Sequence, residues 1–199
     1  SALWVWMGDH DKVDYDLLPD ETALVSDDYS SERLTLNLPV DYQLIVGNLL
    51  DLTHAPYLHQ ATLAGGEDIN IDEVPVPEFR FEKDGDTLYS YYHFDEMPPA
   101  PQLAPYFTDA VGEFNAKMQW KPASILSLDL RMDPIEGGQS DSIHLPTVHY
   151  VTPETENSTH YFAAVSRNRD IHNPEADEFM REMVKKAFVN EDEPMIVSC

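Results

Sequence analysis

From residue 78 onward the chain reads as successive strands, and its last long periodic segment, from residue 174 to about 195, as one amphipathic helix. Any fold must bury that helix against those strands. Residues 78–83 and 87–94 alternate on either side of Asp84-Gly85, a dipeptide suited to a hairpin turn. Residues 115–133 carry strand-like alternation with Trp120, Leu126, Leu128 and Leu130, and two more strands bracket a Pro-Glu-Thr-Glu turn at Pro153. In the final segment Phe179, Met183, Val184, Ala187 and Phe188 recur at helical intervals, with acidic residues in the first turn, where the helix dipole favours them. Earlier, residues 33–38 alternate as a strand, and Pro39 with Asp41 introduces a helical run. Residues 97–105 form a proline-rich loop. Helix, antiparallel strands and C-terminal helix predict an α+β domain in which one sheet wraps the final helix.

The helical run is polar where a core helix should be apolar. Within residues 48–59, NLLDLTHAPYLH, Asn48, Asp51 and His54 recur every three residues and so share one helical face, while Leu49, Leu50, Leu52 and Leu58 supply packing. His54 and His59 are candidate metal ligands. On an ideal helix residues five apart diverge by about 140°, so their convergence needs a distortion, which Pro56 between them is placed to supply. Capping or satisfied core histidines are the alternative for such a pair.

The pattern N-x2-D-x2-H-x4-H resembles the mononuclear iron motif of the Rieske non-haem iron oxygenases. The opening LWVWMGD resembles the end of their Rieske domain, and residues 152–168 and 187–196 resemble the later part of their catalytic domain. Within that family the pattern is most similar to the vanillate and dicamba O-demethylase oxygenase branch. The resemblance implies a helix-grip (Bet v 1-like) fold and a third ligand, Asp192 of the Asn-Glu-Asp triplet, with Glu191 as the near alternative. It implies mononuclear Fe(II) held by His54, His59 and Asp192; two imidazoles and a carboxylate on one face leave the opposite positions open, as non-haem Fe(II) oxygenases require. Asp51 would connect this site to a neighbouring subunit's cluster through a ligand histidine, with Asn48 near the iron. His149, Leu128 and Met183 would meet the substrate. Residues 1–9 read as the tail of a Rieske domain and residues 10–199 as the catalytic domain. The [2Fe–2S] cluster is expected only in a preceding part, because this chain lacks its paired Cys and His motifs. The implied activity is monooxygenation or O-demethylation of an aromatic substrate with O2, in a homotrimer fed by a reductase or ferredoxin. A helix-grip domain that binds a small molecule without catalytic iron, and a ring-hydroxylating dioxygenase, are the competing readings.

Composition narrows the partners. At 199 residues with 42% hydrophobic content, one domain with a substantial core is expected. The formal charge of −25 disfavours nucleic acid and anionic membrane surfaces. No apolar run approaches a membrane span and no signal-peptide pattern opens the chain, so a cytoplasmic location is expected. A single cysteine, Cys199, builds neither a disulfide framework nor a zinc–cysteine cluster.

Other polar residues carry weaker signals. His144, His149 and His160 fall on strands expected to line the pocket, whereas His10, His93 and His172 have no motif around them. Gly65-Gly66 suits a turn or a mobile lid. No nucleophile elbow, P-loop or dinucleotide-binding glycine pattern is present.

Overall fold

The computed structural model describes residues 3–63, 76–122 and 124–198. α1 (Thr22–Val25) leads into β1 (Ser30–Leu38), followed by α2 (Tyr42–Leu50), a 3-10 turn (Leu52–His54) and α3 (Ala55–Leu58). Then come β2 (Glu78–Asp84), β3 (Thr87–Met97), β4 (Gly112–Lys121), β5 (Ile125–Asp133), the short β6 (Ile143–His144), β7 (Thr147–Thr155) and β8 (Ser158–Arg167). α4 (Pro174–Lys185) runs through a π-helical segment (Lys186–Asp192) into α5 (Glu193–Val197).

The strands form one antiparallel sheet in the order β1-β8-β7-β5-β4-β3-β2, with β6 beside β5. Alternation explains its two faces. Phe114, Ala116 and Met118 of β4, Leu126, Leu130 and Met132 of β5, and Tyr161, Ala163 and Val165 of β8 are buried on the inner side. One cluster joins Phe94, Phe114, Leu130 and Met132 to Met180 and Val184 of α4; a second joins Leu38, Ile45, Leu49, Met118, Leu126 and Tyr161 to Ile196 of α5. The sheet therefore grips the C-terminal helix, as the α+β helix-grip expectation requires. Leu128 and Phe188 pack against both clusters and mark where they meet. Caps set the helix starts: Asp41 Oδ1 accepts from Gln43 N at 2.7 Å, and Asn173 Oδ1 from Glu175 N at 3.0 Å.

Several boundaries differ from the sequence reading. Residues 3–9 take no regular secondary structure, and Leu3, Val5 and Met7 lie exposed there. Residues 115–133 are two strands, broken after Lys121 at Pro122, a residue that cannot donate to a ladder. Pro153 belongs to β7, and the turn falls after Thr155; a bulge between Pro153 and Thr155 absorbs the proline. The proline-rich loop holds, yet its Ala100 and Leu103 are completely buried. Gly85 has φ 56°, a left-handed conformation that glycine adopts freely, in the expected hairpin. Gly65-Gly66 lies outside the described residues. Among the described residues no helix is long and apolar enough to cross a membrane.

Candidate metal centre

The polar run is not one helix. α2 ends at Leu50, Asp51 leaves helical geometry at φ −93°, ψ 88°, and the chain re-enters a 3-10 turn and then α3. The break is therefore at Asp51 and not at Pro56, which occupies the first turn of α3, where a missing N–H costs nothing. Asp51 is exposed and its carboxylate turns away from the shared face to cap the 3-10 turn, accepting from Thr53 N at 3.0 Å and Thr53 Oγ1 at 2.5 Å. Its backbone carbonyl accepts a hydrogen bond from His54 Nδ1.

The other side of the site comes from the π-helical segment. Residues five apart diverge on an α-helix but align at π spacing, and Ala187 and Asp192 are both buried there. The wider turn brings Asp192, 3% exposed, against the histidines. His54 Nε2 and His59 Nε2 are 3.2 Å apart; Asp192 Oδ1 lies 3.1 Å from His59 Nε2 and 3.7 Å from His54 Nε2. Cis ligands of an octahedral first-row ion, with bonds of about 2.1 Å, stand about 3 Å apart, so this triangle suits one octahedral face.

Proton placement sharpens the fit. A carbonyl only accepts, so His54 Nδ1 carries the proton. His59 Nδ1 donates to Glu191 Oε2 at 2.7 Å, and Thr62 Oγ1 donates to the same oxygen at 2.6 Å. In the neutral rings both Nε2 atoms then present lone pairs, and together with a carboxylate oxygen they converge on one point. Three electron-rich atoms repel each other unless a cation or a proton lies among them. Asn48 Nδ2 donates to Asp192 Oδ1 at 3.1 Å and holds that carboxylate in place. Burial pushes the His54 pKa down. Burial is also the largest single influence on His59 and acts downward, but the Asp192 and Glu191 carboxylates together outweigh it and raise that pKa.

The interior beside this triad is aromatic. A small pocket between β1, β8, α2 and the C-terminal helix is lined by Leu38, Ile45, Leu49, Tyr161, Phe188 and Ile196 and reaches Asn48 and Asp192. His149, 1% exposed, receives or gives a hydrogen bond at Nδ1 with the Tyr161 hydroxyl at 2.7 Å, and its Nε2 has no protein partner. Burial holds the His149 pKa down to about 4. Leu128 is partly buried at the junction of the two core clusters, and Met183 is half-buried on α4. The other two strand histidines have their partners elsewhere. His144 Nε2 meets Asp129 Oδ1 at 2.8 Å and its Nδ1 meets the Tyr29 hydroxyl at 2.7 Å, while His160 pairs with Asn37 and Glu154 at the surface.

Sequence reasoning thus brought His54, His59, Asp192 and Asn48 to one place. It missed Glu191 as the carboxylate that orients His59, Thr62 as its second donor, and Tyr161 and Phe188 around His149. The only signal for Glu191 was its adjacency to Asp192, which the resemblance read as competition for one role.

A sheet wrapped round a C-terminal helix that carries Asp192, with two imidazoles from the 3-10 turn and the end of α3 completing one triangular face, is the arrangement of a non-haem iron oxygenase domain of the Rieske class. The chain belongs to the vanillate O-demethylase oxygenase C-terminal domain family, whose model matches residues 38–198. It is 28% identical over 198 residues to the oxygenase component of dicamba O-demethylase from Stenotrophomonas maltophilia, covering 98% of this chain and 57% of that one. It is 31% identical over 208 residues to the oxygenase component of chloroacetanilide N-alkylformylase from Rhizorhabdus wittichii, covering 98% and 56%. The crystal structure of dicamba monooxygenase bound to 3,6-dichlorosalicylic acid superposes with a TM-score of 0.80 at 27% identity, over 96% of this chain and 55% of that one. The structure of that enzyme with non-haem iron and dicamba gives 0.71 at 26% identity, over 97% and 54%. The chain spans about half the length of these relatives.

Proposed function

We propose that this chain is the catalytic domain of a terminal oxygenase that uses mononuclear Fe(II) and O2 to monooxygenate an aromatic substrate, removing an O-methyl group. The observation that carries the reading is the convergence of His54 Nε2, His59 Nε2 and Asp192 Oδ1, with both Nδ1 protons already committed elsewhere. Fe(II) held by those three residues would supply the activation of O2. The protein's own part is positional. Glu191 and the Asp51 carbonyl fix the two rings, Asn48 fixes the carboxylate, and the apolar pocket beside Asp192 keeps competing water out. His149 would hydrogen-bond the substrate, with Leu128 and Met183 as apolar walls.

In the same reading residues 1–9 are the end of a Rieske domain and residues 10–199 the catalytic domain. A [2Fe–2S] cluster in the preceding part, a reductase or ferredoxin, a homotrimer and a cytoplasmic setting complete the system. Electrons would arrive from a neighbouring subunit past Asp51, whose exposed position suits such a contact. The activity of the family's named members supports demethylation over ring dihydroxylation, and product analysis separates the two.

Elemental analysis of anaerobically Fe(II)-reconstituted protein tests the site. About one iron per chain is expected, lost in both His54→Ala and Asp192→Ala. A folded wild-type chain that takes up no specific iron would instead favour the small-molecule binding domain.

A further inference from the structure

The small pocket beside the triad is too tight for an aromatic ring and too apolar for water. It comprises about 240 Å³ of empty space, open solvent included, whereas pockets that enclose a drug-sized ligand run to about 300–1,000 Å³. Its enclosed part has room for about one water-sized molecule. Leu36 and Leu38 of β1, Ile45 and Leu49 of α2 and Ile196 of α5 form the apolar wall, and all but Leu36 are buried. The pocket is partly open, with Leu36 and Glu193 part-exposed. Inward it reaches Asn48 and Asp192.

A buried water needs about two to four polar partners. Tyr161 lines the pocket, but its hydroxyl is engaged by His149 at 2.7 Å, and Asn48 Nδ2 is engaged by Asp192 at 3.1 Å. Water entering would surrender hydrogen bonds along the leucine and isoleucine wall, whereas an apolar diatomic has none to lose. We propose that this pocket is a gas site, which takes one O2 at a time and delivers it to the metal centre past Asn48 and Asp192, by a route that an aromatic substrate is too large to share. The gas site stands on the pocket alone; its use for O2 rests on the oxygenase reading above.

Xenon is an apolar probe that enters such cavities. Methyl NMR on metal-free chain labelled at leucine and isoleucine, titrated with dissolved xenon, should show saturable shifts centred on Leu36, Leu38, Ile45, Leu49 and Ile196; no shift at these methyls overturns the gas site. Leu36→Phe, which fills the pocket from its part-exposed side, should weaken xenon binding about tenfold, and Ile45→Val, which widens it, should not weaken it. A xenon affinity that Leu36→Phe leaves unchanged, or that Ile45→Val reduces, also overturns it. Nitric oxide, a diatomic that Fe(II) takes up, then reads the route by stopped flow on anaerobic Fe(II)-loaded chain: Leu36→Phe should slow uptake about threefold at unchanged iron content. Uptake at the wild-type rate while xenon is excluded overturns delivery through the pocket. If xenon binds but the chain takes up no specific iron, the gas site stands, while the oxygenase reading and O2 delivery with it fail.

Discussion

Replacing His149 by phenylalanine should flatten the acid limb of this protein's stability curve. In the folded chain burial keeps the imidazole neutral down to about pH 4, whereas an unfolded histidine takes up its proton near pH 6.5. Proton counting sets the sign. Between those values the unfolded state binds the proton and the native state refuses it, so stability is full above pH 6.5 and falls as the pH drops towards 4. Each pH unit costs about 1.4 kcal/mol, giving a loss of about 3 kcal/mol that levels off below the folded-state value. Against a typical domain stability of about 5–15 kcal/mol this is readily measured. Urea unfolding at pH 7.5, 6.5, 5.5 and about 4.5, on metal-free wild type and His149→Phe, isolates the effect because the other histidines contribute equally to both. The variant starts lower at neutral pH, having lost the Tyr161 hydrogen bond, and the two curves converge as the medium acidifies. Parallel curves through that window would refute the reasoning.

Glu191→Gln removes the charge that orients His59 and should weaken iron binding about 10–100-fold without abolishing it, as competition against a chelator would show; unchanged affinity would remove Glu191 from the site. Asp129, held down to about pKa 2 chiefly by its His144 hydrogen bond, is about half exposed, so screening reduces its contribution to about 1 kcal/mol. Asp129→Asn should lose that at pH 7, and the gap should close as the pH falls from 4 through about 2, measured by denaturant titration at both ends. Gly112→Ala would put a Cβ 2.6 Å from the Phe107 ring and 2.8 Å from the Asp133 carbonyl oxygen. A destabilisation of about 1–3 kcal/mol should appear in thermal melts, and an unchanged Tm would contradict the packing described.

The architecture was legible because its signals are local. Alternation around Gly85 and the helical period after residue 174 each need only a few neighbouring residues to be read. The metal centre was half legible: His54 and His59 stood out by spacing, but Asp192 came from resemblance, since nothing local distinguishes it from the other acidic residues. Proline is the obvious helix breaker and so points to Pro56, whereas the chain turns at Asp51, whose carboxylate and carbonyl both cap the next turn. The π-helical register between Ala187 and Asp192 has no compositional mark, so an amphipathic reading continues straight through it. Histidines on strands could not be sorted by face until the register was known, and only His149 of the three turned inward.

The triad also joins parts of the chain that the sheet keeps far apart in order. Asn48 and Asp192 touch across 144 residues, one within the first long helix and the other at the end of the π-helical segment. An ion held by the histidines and Asp192 is therefore a cross-link closing a loop that contains nearly the whole sheet, and binding to it competes directly with detachment of the final helix. Metal affinity in this protein is consequently a gauge of how firmly that helix is docked, and substitutions deep in the α4 core should loosen the ion without approaching it.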